Sequence, residues 1–145
     1  MDGDPFGLQR FMDAQAPVFD RVLDELRAGR KRTHWMWFVF PQHAELGRSA
    51  TARRYGIRSI AEARAYLAHP VLGPRLLQAC ELLLALPQPL SAHEVFGSPD
   101  DLKLRSCLTL FQQAAPQVPL FRQALDRFYR GAPDESTLAL CASSG

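Results

Sequence analysis

The residues best suited to chemistry fall in three short stretches. The first is His34-Trp35-Met36-Trp37, followed shortly by Gln42, and it holds both tryptophans of the chain. Large flat rings beside an imidazole and an amide are what stacking on a base and reading its polar edge require. The second is Asp100, Asp101, Lys103 and Ser106. Lys103 and Ser106 are three apart and share one face of a helix, so together they could hold a phosphate, with Asp100 or Asp101 as general acid or base. Lys103 is one of only two lysines, the other being Lys31, and stands near an expected helix N-terminus, where the helix dipole disfavours a cation. The third stretch runs from His69 through Arg75. Arg75 falls in the first turn of its expected helix and could join the free backbone N–H groups there in holding an anion. Each group also has a purely structural explanation. The tryptophans could be core, Asp101 a cap, and Arg75 a surface side chain covering Leu72.

Charge distribution points the same way as the motifs. The net charge is +2, but residues 27–58 carry eight Lys or Arg against Glu45 alone, a net of +7, which leaves −5 for the rest of the chain. A basic segment on an acidic body suits phosphate or another anion, and it equally suits an Arg-rich solvated surface. Gly-rich phosphate loops, His-Glu-x-x-His and Gly-x-Ser-x-Gly do not occur. The four histidines lie in separate elements, so neither a metal nor a cofactor is expected.

The elements that must position these groups read as helices. At 145 residues, with 47% hydrophobic and 22% charged residues, the chain suits one cored domain, taken as residues 1–141 with a frayed end over 142–145. Apolar spacing predicts a helix over 6–14, and a second starting at Pro17 and ending at Gly29. The run 35–40 is read as a short helix with Thr33 as its cap, followed by another short helix over 49–55. Ser59 to Glu62 and Ser91 to Glu94 have the capping-box pattern. A helix begun by Gly73-Pro74 and running to about residue 86 is read as central. Ser98 as N-cap and Pro99 at the first helical position open a helix to about residue 115. A last amphipathic helix spans 119–130, with one turn over 133–140. The expected fold is all-α, with about seven helices and no significant sheet. Three cysteines in no zinc or redox spacing, an acidic N-terminus without an apolar leader, and apolar runs too short to span a bilayer suggest a reducing cytoplasmic setting and no membrane partner.

Several stretches resemble one family. Asp4-Pro5-Phe6 with Leu8, Arg10-Phe11 and Ala14-Gln15 look like its opening. His34-Trp35-Met36-Trp37-Phe38 with Phe40-Pro41-Gln42 looks like its signature. Tyr66-Leu67, His69-Pro70, Leu72-Gly73 and Arg75-Leu76 look like its middle, and Phe96-Gly97, Asp100-Asp101, Lys103, Ser106 and Thr109-Leu110-Phe111 its late motif. The family is the bacterial domain of unknown function 1810. The resemblance covers nearly the whole chain and implies a small, mainly helical, cytoplasmic protein without an established activity. Some of its members carry the name calpastatin, but calpastatin-type inhibitors are disordered, whereas this chain has the composition of a cored domain. The chain departs from the family at Ser106-Cys107, where two small polar residues are usual. A slighter similarity, over residues 76–101, is to the NADAR proteins, N-glycosidases of ADP-ribose and related ribosyl phosphates; it implies a ligand of ribose-phosphate size.

The functional expectation is therefore a hydrolase of N-glycosidic or related bonds on a nucleotide-like anionic small molecule. Arg10, Lys31, Arg75 and Lys103 would hold phosphate and Trp35 or Trp37 would stack. Asp100 or Asp101 would act on the bond, and His34 or Gln42 would orient it, with His69 and Ser106 lining the site. This reading expects His34, Gln42, Asp101 and Lys103 in one cleft. The alternatives are a nucleic-acid or anionic-partner module on residues 27–58 and a protein-interaction domain. The oligomeric state is not legible in the sequence.

Overall fold

The computed structural model describes residues 3–144. Met1, Asp2 and Gly145, which the reading of the two ends included, lie outside the described residues. Among the described residues ten α-helices follow one another: α1 (Gln9–Gln15), α2 (Phe19–Ala28), α3 (Met36–Val39), α4 (Ala50–Arg54), α5 (Ile60–Ala68), α6 (Leu72–Ala85), α7 (Ala92–Phe96), α8 (Asp100–Ala114), α9 (Pro119–Tyr129) and α10 (Glu135–Ser144). A single 3-10 turn, Ala44–Leu46, lies between α3 and α4. The only β-type pairing among the described residues is an isolated bridge between His43 and Ile57. The all-α expectation holds. The helix count rises from about seven to ten because short segments complete their own turns, and because the final segment is a helix to Ser144 rather than one turn over 133–140.

The centre is α8, which packs against α5, α7, α9 and α10, while α6 packs against α2, α5 and α9. Ser106, Cys107, Leu108, Thr109, Leu110 and Phe111 are six consecutive buried residues, so the middle of α8 is covered on every side. Its two buried hydroxyls are satisfied inside the helix, Ser106 donating to the Leu102 carbonyl and Thr109 to that of Arg105. The helix expected to be central, now α6, is thus a flank of the core and α8 its axis. Cys80, Cys107 and Cys141 are all buried and unpaired.

Some local start and stop signals act as their sequence pattern suggests and others are overridden by tertiary partners. Gly29 terminates α2 in the left-handed region (φ 72°), and Ser91 with Glu94 forms a reciprocal capping box. Ser59 caps α5, but the Glu62 side chain turns away to Arg10 and the Arg58 N–H. Thr33 does not cap α3; its hydroxyl donates to Glu25. Ser98 does not cap α8 either. The helix begins one residue later, and the Asp101 N–H is taken by the Gly97 carbonyl.

The segment leading into α3 is tied down by one buried carboxylate. Glu25 of α2 is 7% exposed. It accepts the backbone N–H groups of Arg32 (2.7 Å) and Thr33 (3.1 Å), the Thr33 hydroxyl (2.6 Å) and the Trp35 indole N–H (2.9 Å). Burial on its own would raise the carboxyl pKa; the four donors more than reverse that and hold it at about 2, against an ordinary 4.5. A depressed pKa stabilises the fold above pH 4.5 and loses that contribution as pH falls toward 2, by about 3 kcal/mol in all. Glu25→Gln keeps the shape and can leave its amide oxygen on the three N–H groups that meet Oε1, with its amide nitrogen on the Thr33 hydroxyl. It loses the charge that strengthens those bonds, and should lower stability by roughly 1–3 kcal/mol in urea unfolding at pH 7. The gap to the parent protein should narrow as both are titrated from pH 5 toward pH 2.

Candidate functional site

Residues Pro99, Leu102, Lys103 and Ser106 recur at helical spacing and form one face of α8. That face looks across an open cleft of about 620 Å³ toward Trp37 of α3, Gln42, Leu46, Gly47, Arg48, Ser49 and Ala52, with Asp134 and Ser136 at the start of α10 closing one end. Trp37 and Leu102 give it an apolar wall. Leu102 is 57% exposed and is the one exposed large hydrophobic residue among those described. The Gln42 amide makes no side-chain hydrogen bond there among the described residues.

The charges of the cleft are ordered by a buried chain. Lys31 Nζ lies 3.0 Å from Asp100 Oδ2, and the Lys31 side chain is only 8% exposed. Lys103 Nζ lies 3.6 Å from the other Asp100 oxygen and 5.3 Å from the centre of the Trp37 ring. Lys31 is packed in the same way over Trp35, at 5.2 Å. Asp100 is thus compensated by the closer, more buried lysine, which leaves the charge of Lys103 in excess on the cleft side. Arg48, on the opposite wall, is exposed and has no ion pair among the described residues. Asp134 is held by its backbone N–H donating to Thr109, while its Oδ2 accepts the N–H and hydroxyl of Thr137. This is an N-cap of α10 that leaves Oδ1 without a donor among the described residues.

Four of the residues expected in a site therefore meet in one cleft: Trp37, Gln42, Lys103 and Ser106. The other assignments require correction. Asp101 lies on the far side of α8 from Lys103, since two residues along a helix turn about 200°. There it faces His93 (3.3 Å) and Ser98, and its carbonyl accepts the Tyr129 hydroxyl. His34 is exposed and lines no part of the cleft, so His34, Gln42, Asp101 and Lys103 do not converge. Trp35 is 1% exposed with its N–H on Glu25, and cannot stack on a ligand. Asp100 and Lys31 neutralise each other behind the cleft. His69 is a cap: its Nδ1 accepts the N–H groups of Val71 and Leu72 and starts α6. Arg75 bonds Gln15 (3.3 Å) and lies over Phe19, away from the cleft. Arg10 spends all five of its donors on the carbonyls of Arg54, Phe6, Gly7 and Gly56 and on the Glu62 carboxylate. It is a strut rather than an anion receptor. The basic segment is also divided, with Arg48 in the cleft, Arg53 and Arg58 in a neighbouring cavity, and Arg30 to Arg32 around a third depression. The sequence alone points to Arg48 only as one of the basic residues of 27–58, and does not point to Leu102 or Asp134 as site residues. Asp134 carried a usable signal, since Asp-x-x-Thr is a capping pattern at a helix start.

The family model described as a protein of unknown function (DUF1810) matches residues 5–141. The chain belongs to this family. No curated protein matches the sequence. Among solved structures, the chain is similar to the conserved hypothetical protein Rv1873 from Mycobacterium tuberculosis, at 54% identity over 96% of this chain and 99% of that one, with a TM-score of 0.94. No helix of the described residues is long and apolar enough to cross a membrane.

Two measurements check this placement. Acrylamide should quench the fluorescence of a Trp35→Phe variant, which retains Trp37, clearly more than that of Trp37→Phe, which retains the buried Trp35. Arg10→Ala should destabilise the protein by about 3–5 kcal/mol in denaturant unfolding, because it leaves the buried Glu62 charge uncompensated.

Proposed function

We infer that the cleft between α3 and α8 binds a small anionic ligand that carries a flat apolar group, of nucleotide or ribosyl-phosphate type. The observation that supports this most strongly is the charge of Lys103 over Trp37, only partly compensated by an Asp100 carboxylate that it shares with Lys31, beside the exposed Leu102 and opposite Arg48. A phosphate would lie between Lys103 and Arg48, which supply charge-assisted hydrogen bonds. A base or other planar group would cover Trp37 and Leu102 and remove that apolar surface from water. Gln42, Ser49 and Ser106 are within the same lining and offer neutral hydrogen bonds.

The hydrolytic form of this proposal, N-glycosidase-like cleavage of a ribosyl bond, uses the same cleft with a different carboxylate. Asp134, rather than Asp100 or Asp101, is the acid that lines it, and its free Oδ1 is the group to activate water or to steady a developing oxocarbenium ion. The family supplies no activity for comparison, so binding and turnover are separate questions for experiment.

A thermal-shift screen against nucleotides, NAD, ADP-ribose and ribose phosphates tests the binding step, because a ligand of the native state raises Tm by mass action. One such ligand should raise Tm, quench Trp37 fluorescence, and lose roughly tenfold or more in affinity in Lys103→Ala. Release of a free base that stops in Asp134→Asn would support the hydrolase, and binding without release would support a receptor. Absence of any shift across the screen would reject the nucleotide-like ligand.

A further inference from the structure

The chain has two lysines and two tryptophans, and the fold pairs them. Lys31 Nζ lies 5.2 Å from the centre of the Trp35 ring, and Lys103 Nζ lies 5.3 Å from that of Trp37. One carboxylate stands between the two pairs. Asp100 meets Lys31 through Oδ2 at 3.0 Å and Lys103 through Oδ1 at 3.6 Å. The inner pair is nearly closed to solvent, with the Lys31 side chain 8% exposed and Trp35 buried on its bond to Glu25. The outer pair borders the cleft.

The backbone puts Lys31 in this place. In Arg30-Lys31-Arg32 both arginines are exposed and only the lysine turns inward. The Arg30 N–H bonds the Glu25 carbonyl at 3.0 Å, and the Lys31 N–H bonds the Val95 carbonyl at 2.8 Å. The Arg32 N–H bonds the Glu25 carboxylate at 2.7 Å. Three successive anchors thus hold the loop between α2 and α3 against α7, with the Lys31 ammonium at the start of α8. Burying an ammonium for one ion pair is a poor way to gain stability, because an apolar side chain of similar volume commonly does as well or better. The charge has a clearer use toward Lys103. Without it, Asp100 would bring its whole negative charge to bear on Lys103 and on any anion beside it.

We propose that Lys31 is a positioning residue of the cleft: it does not touch the ligand, but by holding Asp100 it frees the Lys103 ammonium to bind an anion. This rests on the anionic-ligand reading of the cleft. It adds that affinity is set from behind α8, by a side chain outside the lining. The two contacts also differ in kind. The Lys103 contact is the longer, and its side chain is 27% exposed. Lys103 is therefore the lysine that exchanges Asp100 for a ligand oxygen, while Lys31 stays in place.

With only two lysines the test is direct. Protein labelled with ¹³C at lysine Cε gives two such resonances, assigned with Lys31→Met and Lys103→Ala. Inorganic phosphate, titrated at pH 7 and constant ionic strength, should move the Lys103 signal saturably in the parent protein. Lys31→Met keeps an apolar chain over Trp35 and should weaken phosphate binding roughly tenfold. Adding Asp100→Asn removes the stranded carboxylate, so the double variant should regain the parent's affinity. Loss of packing alone would not be rescued in this way. Parent-like affinity in Lys31→Met would overturn the proposal and leave the cleft reading intact. So would a loss that persists in the double variant. A parent protein whose Lys103 signal ignores phosphate would overturn the cleft reading and this proposal together.

Discussion

The carboxylate of Glu25 is the constraint on which the rest of the structure depends. It converts a basic loop that has no secondary structure of its own into a defined approach to α3. By fixing Arg32, Thr33 and the indole of Trp35 at once, it places the first tryptophan in the core and thereby turns the second outward. Trp35 is the residue just before α3 and Trp37 lies within its first turn, so the anchor on the one sets the start of the helix that carries the other. Phe40 and Phe96 then close on Trp35 with edge or tilted ring contacts, which locks α3 against α7.

The same tie arranges the charges. Lys31 is carried over the Trp35 ring and against Asp100, deep enough that its charge is nearly hidden from water. A carboxylate at the start of α8 suits the helix dipole, and a lysine three residues on does not. Asp100 resolves this conflict by holding both lysines, the buried one tightly and the cleft one loosely. The local rule that Lys103 breaks is thus balanced behind the helix, and the surplus charge is delivered to one wall of an open space. Such a local conflict, settled by a tertiary partner, is where sites are commonly found.

Much of this architecture was legible in the sequence. Spacing of apolar residues, glycine stops and serine caps located most helices, because those signals act within four residues of themselves. The unusual character of Lys103 and the importance of the segment around Trp37 and Gln42 were legible for the same reason. What failed was everything that depends on a distant partner. Whether Trp35 faces core or cleft is decided by Glu25, ten residues away. Arg10 has the chemistry of a phosphate ligand, but besides the nearby Phe6 and Gly7 carbonyls its acceptors lie 44 to 52 residues along the chain and leave no trace in the local sequence. Asp101 was assigned by proximity in sequence to Asp100, yet adjacent residues on a helix point about 100° apart.

The three buried cysteines have a consequence for how the protein ages. Burial pushes the Cys80 thiol up to about 12, the Cys107 thiol well above its ordinary value, and that of Cys141 upward as well. At pH 7 a thiol with a pKa near 12 is a thiolate in roughly one molecule in 10⁵. The nucleophile needed for disulfide exchange or peroxide attack is therefore nearly absent while α6 and α8 stay packed. Oxidative inactivation must wait for the core to open, so its rate follows the opening equilibrium rather than thiol chemistry, and a stabilised fold is also a chemically longer-lived one.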